Sequence, residues 1–450
     1  MENISKQNLF KTFWSYCIPC IIGMFLTSFI TVVDGIFIGR KIGENGLAAV
    51  NLTLPVLYNL LAVTIMIGAG GVTLAAQSLG EKNRSRANHY FSLAVGINVL
   101  FVLAATVILI LFWDDIIPLL NAKGILSGYV RDYLGIMRYF YVFMMLNLTL
   151  SIFIRSEGKP QLSLVFGVVA NILNIILDYW LIIRLNYGMK GAALASGISV
   201  LIPFLLGICY FLSRHSVYKF QKIRFRWVEL TTMLFYGSAE FIGQISISFT
   251  TYLLNWLLLR TVGINGVAAL TIVGYVSFIQ NMIFTGIAVG IHPVISYHYG
   301  AKNAPVILGF LRIAQKVVTV VGMMIFLAVL LAGNVIVQFF AGDNLVLQHI
   351  ASHALKLFAI SFLLSGFNII AAAYFTSLGE ARQAATISIL RSLVLIIILV
   401  WILPMFIGEA GIWLTPPVTE FLTFIVAYLW VKKSQSTLAA WGQSAEVSAI

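Results

Sequence analysis

The chain has 450 residues, of which 60% are hydrophobic and only 10% charged. A soluble domain is about a quarter charged, so this chain lacks the polar side chains needed to cover a water-facing surface. Its net charge of +12 is scattered over short segments between apolar runs, so it is not a nucleic-acid footprint.

Apolar runs of about 18 or more residues recur along the chain, each enough to cross a hydrocarbon core about 30 Å thick. A β-barrel would instead show alternating segments of about ten residues. The reading is an all-α polytopic membrane protein with twelve spans. They fall near 13–38, 47–79, 88–113, 129–154, 160–183, 191–213, 230–259, 265–299, 307–332, 350–378, 383–406 and 411–431. The loops are too short for a soluble domain, and no Gly-rich phosphate-binding Lys-Ser/Thr stretch occurs. A pump of this design would have to draw on an ion gradient, and no resident cofactor is expected.

A buried charge in a span costs about 2.5–3.5 kcal/mol on insertion scales, so each one asks for a reason. Span one holds Asp34, with Thr27 and Thr31 on roughly the same face. It is too long for a cleaved signal and lacks a small-residue cleavage site. Its Cys17-Ile18-Pro19-Cys20 has redox spacing, but no βαβ pattern surrounds it. These cysteines and Cys209 read as packing residues.

Span two carries Gly68-Ala69-Gly70-Gly71, which permits close helix approach. Span four holds Arg138, with Phe143, Met144, Met145 and Phe153 as apolar lining or packing. In span five, Asn171, Asn174 and Asp178 stand at i, i+3 and i+7 and share one helix face. Clustered oxygens suit a hard cation such as Na⁺, and a buried carboxylate can carry H⁺.

Span seven has Glu240, Gln244, Ser248, Thr251 and Asn255 at steps of 4, 4, 3 and 4. That polar line keeps helical periodicity and should face a cavity. Span eight ends in His292-Pro293 and His298, with Gly286 and Gly290 earlier. Arg391 of span eleven can neutralise Glu420 of span twelve.

The chain also repeats itself at a shift of 220. Gly43-x-Asn45-Gly46-x-Ala48-Ala49 returns as Gly263-x-Asn265-Gly266-x-Ala268-Ala269. Gly80-x-Lys82-Asn83 returns as Gly300-x-Lys302-Asn303, and Gly188-x-x-Gly191 as Gly408-x-x-Gly411. Two equivalent lobes around a central site are a standard plan for alternating access. None of the four buried acids is duplicated, which suggests that the lobes are specialised.

The organisation expected is an N-lobe over 1–214, a basic linker over 215–229, a C-lobe over 230–433 and a flexible tail over 434–450. Eighteen Lys and Arg fall with the termini and even-numbered loops, eight on the other side and two inside spans. The positive-inside rule then places both termini in the cytoplasm. The linker, the most basic segment, is expected to lie against anionic headgroups.

These residues resemble a family, the multidrug and toxic compound extrusion (MATE) transporters, in the prokaryotic branch related to DinF and MepA. The matching pieces are Val33-Asp34-Gly35-Ile36-Phe37-Ile38-Gly39-Arg40, Gly46-Leu47-Ala48-Ala49-Val50 and Ser78-Leu79-Gly80-Glu81-Lys82. Others are Arg155-Ser156-Glu157-Gly158-Lys159-Pro160, Asn174-x-x-x-Asp178 and Gly188-x-x-Gly191-Ala192-Ala193.

The resemblance implies two pseudo-symmetric six-helix bundles with a cavity between them, in the inner membrane of a prokaryote. It implies efflux of lipophilic, often cationic compounds in exchange for H⁺ or Na⁺ by a monomer that is not an enzyme. Asp34, Asn174 and Asp178 fall where prokaryotic members keep cation-site residues, and Glu240 where many carry a glutamate. Some members carry an acid in the tenth span; here Ser365-Gly366-Phe367-Asn368-Ile369-Ile370 has none. That departure favours coupling through the first lobe. A lipid-linked-oligosaccharide flippase would want more buried cations than Arg138 and Arg391, and a passive channel would not need asymmetric acids.

Overall fold

A computed structural model describes residues 8–120 and 122–447. Lys6, Asn121 and the last three residues lie outside them. Among the described residues there are helices and no strands. In a span every backbone N–H and C=O must be satisfied within the segment, and the helix does that.

The first half contains α1 (Leu9–Lys41), α2 (Glu44–Gly80), α3 (Arg84–Leu111), a short α4 (Trp113–Leu119), α5 (Ile125–Ser156), α6 (Pro160–Asp178) and α7 (Gly188–Leu212). The second contains α8 (Trp227–Thr261), α9 (Ile264–Gly300), α10 (Ala304–Ala341), α11 (Leu345–Ala359), α12 (Phe362–Leu378), α13 (Ala381–Ile389), α14 (Leu395–Ile407) and α15 (Glu409–Val447). Wider π-helical turns, Tyr179–Arg184 and Leu390–Val394, extend α6 and join α13 to α14. Eleven helices or joined helices are long and apolar enough to cross a membrane. The pair α11–α12, bent by 47°, makes the twelfth.

The repeat is visible in the backbone. Gly43 and Gly263 take φ of 89° and 82° at matching helix starts. Lys82 and Lys302 take φ of 59° and 53°, a left-handed conformation uncommon for residues other than glycine. Asn83 then caps α3 by accepting from Arg86 N at 3.0 Å, and Asn303 caps α10 by accepting from Val306 N at 3.5 Å.

The chain divides into two compact units. The first is Ile22–Gly237; the second is Ser238–Ile450 together with the described part of Glu2–Ile21. In the first, α5 packs against α2, α3, α6 and α7. A buried Asn98 joins three of its helices, accepting from Thr64 Oγ1 at 3.2 Å and donating to Thr149 Oγ1. Met145 and Phe153, candidates for cavity lining, are fully buried in its core. Arg138 stacks over Trp113, with its guanidinium carbon 4.4 Å from the ring centroid. In the second unit, α9 packs against α10, α11 and α12, and α12 also against α13 and α15.

These boundaries differ from those expected. The start of α8 belongs with unit one because two glycines let its backbone touch that of α2. A Cβ on Gly70 would stand 1.8 Å from Met233 O, and one on Gly237 would stand 1.9 Å from Met66 O. Unit two has the matching contact between α9 and the first part of α1. A Cβ on Gly286 would meet Ile21 Cα at 2.7 Å, and one on Gly290 would meet Cys17 Cα at 2.9 Å.

The linker also differs. Its helix-free part ends before Trp227, and its backbone is pinned to unit one. Glu157, just past α5, accepts from Ser216 Oγ at 2.6 Å, Val217 N at 2.9 Å and Tyr218 N at 2.8 Å, and from the Tyr210 hydroxyl. Lys219 N donates to Asn88 Oδ1 and Gln221 N to Ser92 Oγ. Tyr218 is buried among Phe91, Phe153 and Phe211. Burial pushes its phenol far above the ordinary value, so it stays protonated. Lys222, Arg224 and Arg226 remain exposed.

The tail expected to be flexible is helical as far as Val447. Tyr374 Oη and Ser434 Oγ lie 2.9 Å apart, Leu438 is buried, and Trp441 packs on Tyr299 with ring centroids 5.4 Å apart. These anchors hold the end of α15 against α9 and α12.

Two outcomes follow from this packing. Hydrogen bonds to a charged group contribute about 1.5–3 kcal/mol each. Glu157→Ala should therefore free the linker, and trypsin should cut after Lys222 and Arg224 much faster in detergent; unchanged digestion would refute the clamp. Gly237→Val should lower the unfolding temperature by several degrees, since overpacking a tight contact costs about 1–3 kcal/mol or more. Intrinsic fluorescence during heating reads this directly.

Candidate functional site

The site begins with α6. Pro160 occupies its first turn, where a missing N–H costs nothing. Asn174 and Asp178, one turn apart on a shared face, are 2% and 1% exposed. The helix widens into its π-turn immediately after Asp178. Such turns are rare and frequently accompany functional positions.

Asp34 of α1 faces this point. Its carboxyl lies within hydrogen-bonding reach of that of Asp178. Tyr133 of α5 bonds to Ser196 of α7 and lies close enough to feel both aspartates. Four helices of unit one thus converge here. Asp34 Oδ1, Asn174 Oδ1 and Asp178 Oδ2 are buried and have no hydrogen-bond partner among the described residues. Nearly all buried polar groups find one, so three orphaned oxygens on adjoining helices stand out. Two carboxyls in contact require either a shared proton or a cation between them. The oxygen-only donor set fits both H⁺ and Na⁺.

Other predicted members of this site do different work. Asn171 donates to Leu26 O at 3.1 Å and fastens α6 to α1. Thr27 and Thr31 are exposed, and their hydroxyls bond back to Gly23 O and Thr27 O on their own helix. Tyr133 and Ser196 were not foreseen. Neither belongs to a polar stripe, and only a polar residue amid the small residues of α7 could have hinted at Ser196.

In unit two, Glu240 and Gln244 are partly buried on α8. The Ser248 side chain lies outside the described residues. Thr251 is exposed and donates to Ile247 O. Asn255 lines a cavity of about 350 Å³ with Tyr252 and Trp256.

Arg391 and Glu420 do meet. Arg391 Nε and Nη2 donate to Glu420 Oε1 at 3.2 and 2.9 Å. Asn368 Nδ2, in the span that lacks an acid, donates to Glu420 Oε2 at 2.6 Å and to Glu420 O at 2.9 Å. The carboxylate is therefore held at both oxygens. Its π-turn also leaves Ser392 O free to accept from Thr250 Oγ1 of α8 at 2.8 Å. Of the histidines of α9, His298 is 2% exposed, and neither of its ring nitrogens has a hydrogen-bond partner among the described residues.

Comparison with known proteins places this arrangement. The chain is 27% identical over 430 residues to the multidrug export protein MepA of Staphylococcus haemolyticus, covering 94% of each. A crystal structure of MATE in the bent conformation superposes with a TM-score of 0.89 at 22% identity, covering 96% of this chain and 97% of that one. The Vibrio cholerae MATE transporter VcmN superposes with a TM-score of 0.88 at 20% identity, covering 96% and 98%. The structural likenesses establish the fold. The MatE family model matches twice, at residues 19–180 and again at 241–402, once in each half of the repeat. The chain belongs to the MatE family of multi-pass membrane transporters.

Proposed function

We propose that this transporter exports lipophilic, often cationic compounds in exchange for H⁺ or Na⁺, with Asp34, Asn174 and Asp178 as the coupling site. The observation that carries this reading is the set of three buried, unpartnered oxygens on α1 and α6. The similarity to staphylococcal multidrug export proteins supports the choice of cargo. The positive-charge bias between loops supports cytoplasmic termini.

The coupling works through differential affinity. A ligand shifts a two-state equilibrium only as far as it prefers one state. A cation that fills the Asp34–Asp178 site removes the repulsion between two carboxylates and supplies partners to orphaned oxygens. The occupied and empty sites therefore favour different packing of α1 against α6. That difference is what an alternating-access cycle needs in order to exchange cation for cargo.

Glu420 is a weaker candidate, because Arg391 and Asn368 already occupy its oxygens. The same pair neutralises Arg391, and Arg138 is stacked on aromatic rings. Arg391 therefore does not stand free to hold a lipid diphosphate, which removes support from the flippase reading.

Asp178→Asn should leave expression and insertion intact and reduce gradient-driven dye efflux to the level of cells lacking the protein. Undiminished efflux by Asp178→Asn in proteoliposomes would overturn the assignment. Collapsing the Na⁺ and pH gradients separately should stop efflux in one case only, and the case that stops it names the ion. Glu420→Gln should instead lower thermal stability more than it lowers efflux per folded molecule, because it breaks a buried pair.

A further inference from the structure

Unit two contains a second built cavity, unrelated to the carboxylate cluster of unit one. It lies where the end of α9, the α12–α13 turn and the last third of α15 come together, and it has a volume of about 550 Å³. Tyr299, Trp430 and Trp441 supply aromatic faces; Glu380 supplies a carboxylate; Arg382 and Lys433 supply two bases. With Phe375, four aromatic and three charged side chains line this one cavity.

The charges are sorted within it. Glu380 is partly buried, whereas Arg382 and Lys433 are exposed. None of the three belongs to an ion pair among the described residues. Glu380 is set in place by its own backbone, whose N–H donates to Phe375 O at 2.9 Å after Gly379 turns with φ of 77°. Burial raises its carboxyl above the ordinary glutamate value.

The repeat supplies a contrast. The matching turn of unit one, at Gly158, also carries a carboxylate beside it, that of Glu157. There the linker saturates it through Ser216, Val217 and Tyr218. At the turn of unit two no hydrogen bond from a loop to the Glu380 carboxylate occurs among the described residues, and α15 carries Trp441 to the same cavity.

We propose that this cavity binds a phospho-ammonium zwitterion, the headgroup chemistry of phosphatidylethanolamine. The ammonium sits against Glu380 and the aromatic faces, where ion pairing and cation–π attraction act together. The phosphate sits at the mouth, against Arg382 and Lys433. A simple anion would be repelled by Glu380, and a simple cation would leave both bases unused. Tryptophans and lysines at the end of a span also mark the headgroup layer, where such a ligand is abundant.

The test uses the purified full-length chain in detergent, with native mass spectrometry counting bound lipid. Equimolar phosphatidylethanolamine and phosphatidylglycerol with identical acyl chains are supplied. The wild type should retain the ethanolamine lipid about fivefold or more over the glycerol lipid, the scale of one ion pair plus one cation–π contact. Glu380→Gln should abolish that preference, and Arg382→Ala should weaken retention, both with unfolding temperatures unchanged. Displacement by soluble phosphoethanolamine at matching concentration would sustain the site with a free ligand; displacement only by lipid would assign it to the membrane. Equal retention of the two lipids by the wild type, or an intact preference in a folded Glu380→Gln protein, would overturn the proposal.

Discussion

In hydrocarbon, a polar group finds its partner inside the protein or goes without one. That constraint organises this structure from the backbone upward. It makes every span a helix, and it makes each buried polar side chain a matter of accounts. Asn98 satisfies it by bridging Thr64 and Thr149. Asn171 satisfies it through a carbonyl of α1, and Glu420 through Arg391 and Asn368. Against that background Asp34, Asn174 and Asp178 gather three buried oxygens without a hydrogen-bond partner among the described residues on two adjoining helices. The proposed coupling role follows from this, since a site that takes up and releases a cation has to leave such partners unsupplied.

The two π-turns show how local geometry serves the same end. An extra residue in a turn frees a carbonyl and shifts the register of side chains. One such turn follows Asp178, and the other contains Arg391 and offers Ser392 O to Thr250. In each unit, an irregular turn therefore stands beside the buried charge. The glycine contacts of α2 with α8 and of α9 with α1 work differently, by bringing backbones together where any side chain would collide. They also explain why the compact units do not coincide with the halves of the sequence.

Polar groups at the ends of the units are handled by chain segments instead of by helix neighbours. Glu157 collects the linker, and Tyr374, Tyr299 and Leu438 hold the last helix. Among the described residues Glu380 has no comparable partner, and the proposed headgroup would supply one.

Much of this was legible in the residues alone. Apolar runs of sufficient length announced the spans, because the bilayer sets a fixed thickness. The repeat announced two related halves, because the same turns need the same glycines, asparagines and lysines. Asn174 and Asp178 announced a shared face, because helical spacing depends only on sequence distance. What sequence distance does not contain is which helices meet. Only the tertiary structure brought Asp34 to Asp178, put Tyr133 and Ser196 beside them, and tied Glu420 to Asn368 as well as to Arg391. Only it turned the polar tail into a docked helix and the basic linker into a clamped strap, because those outcomes depend on buried partners supplied by distant segments.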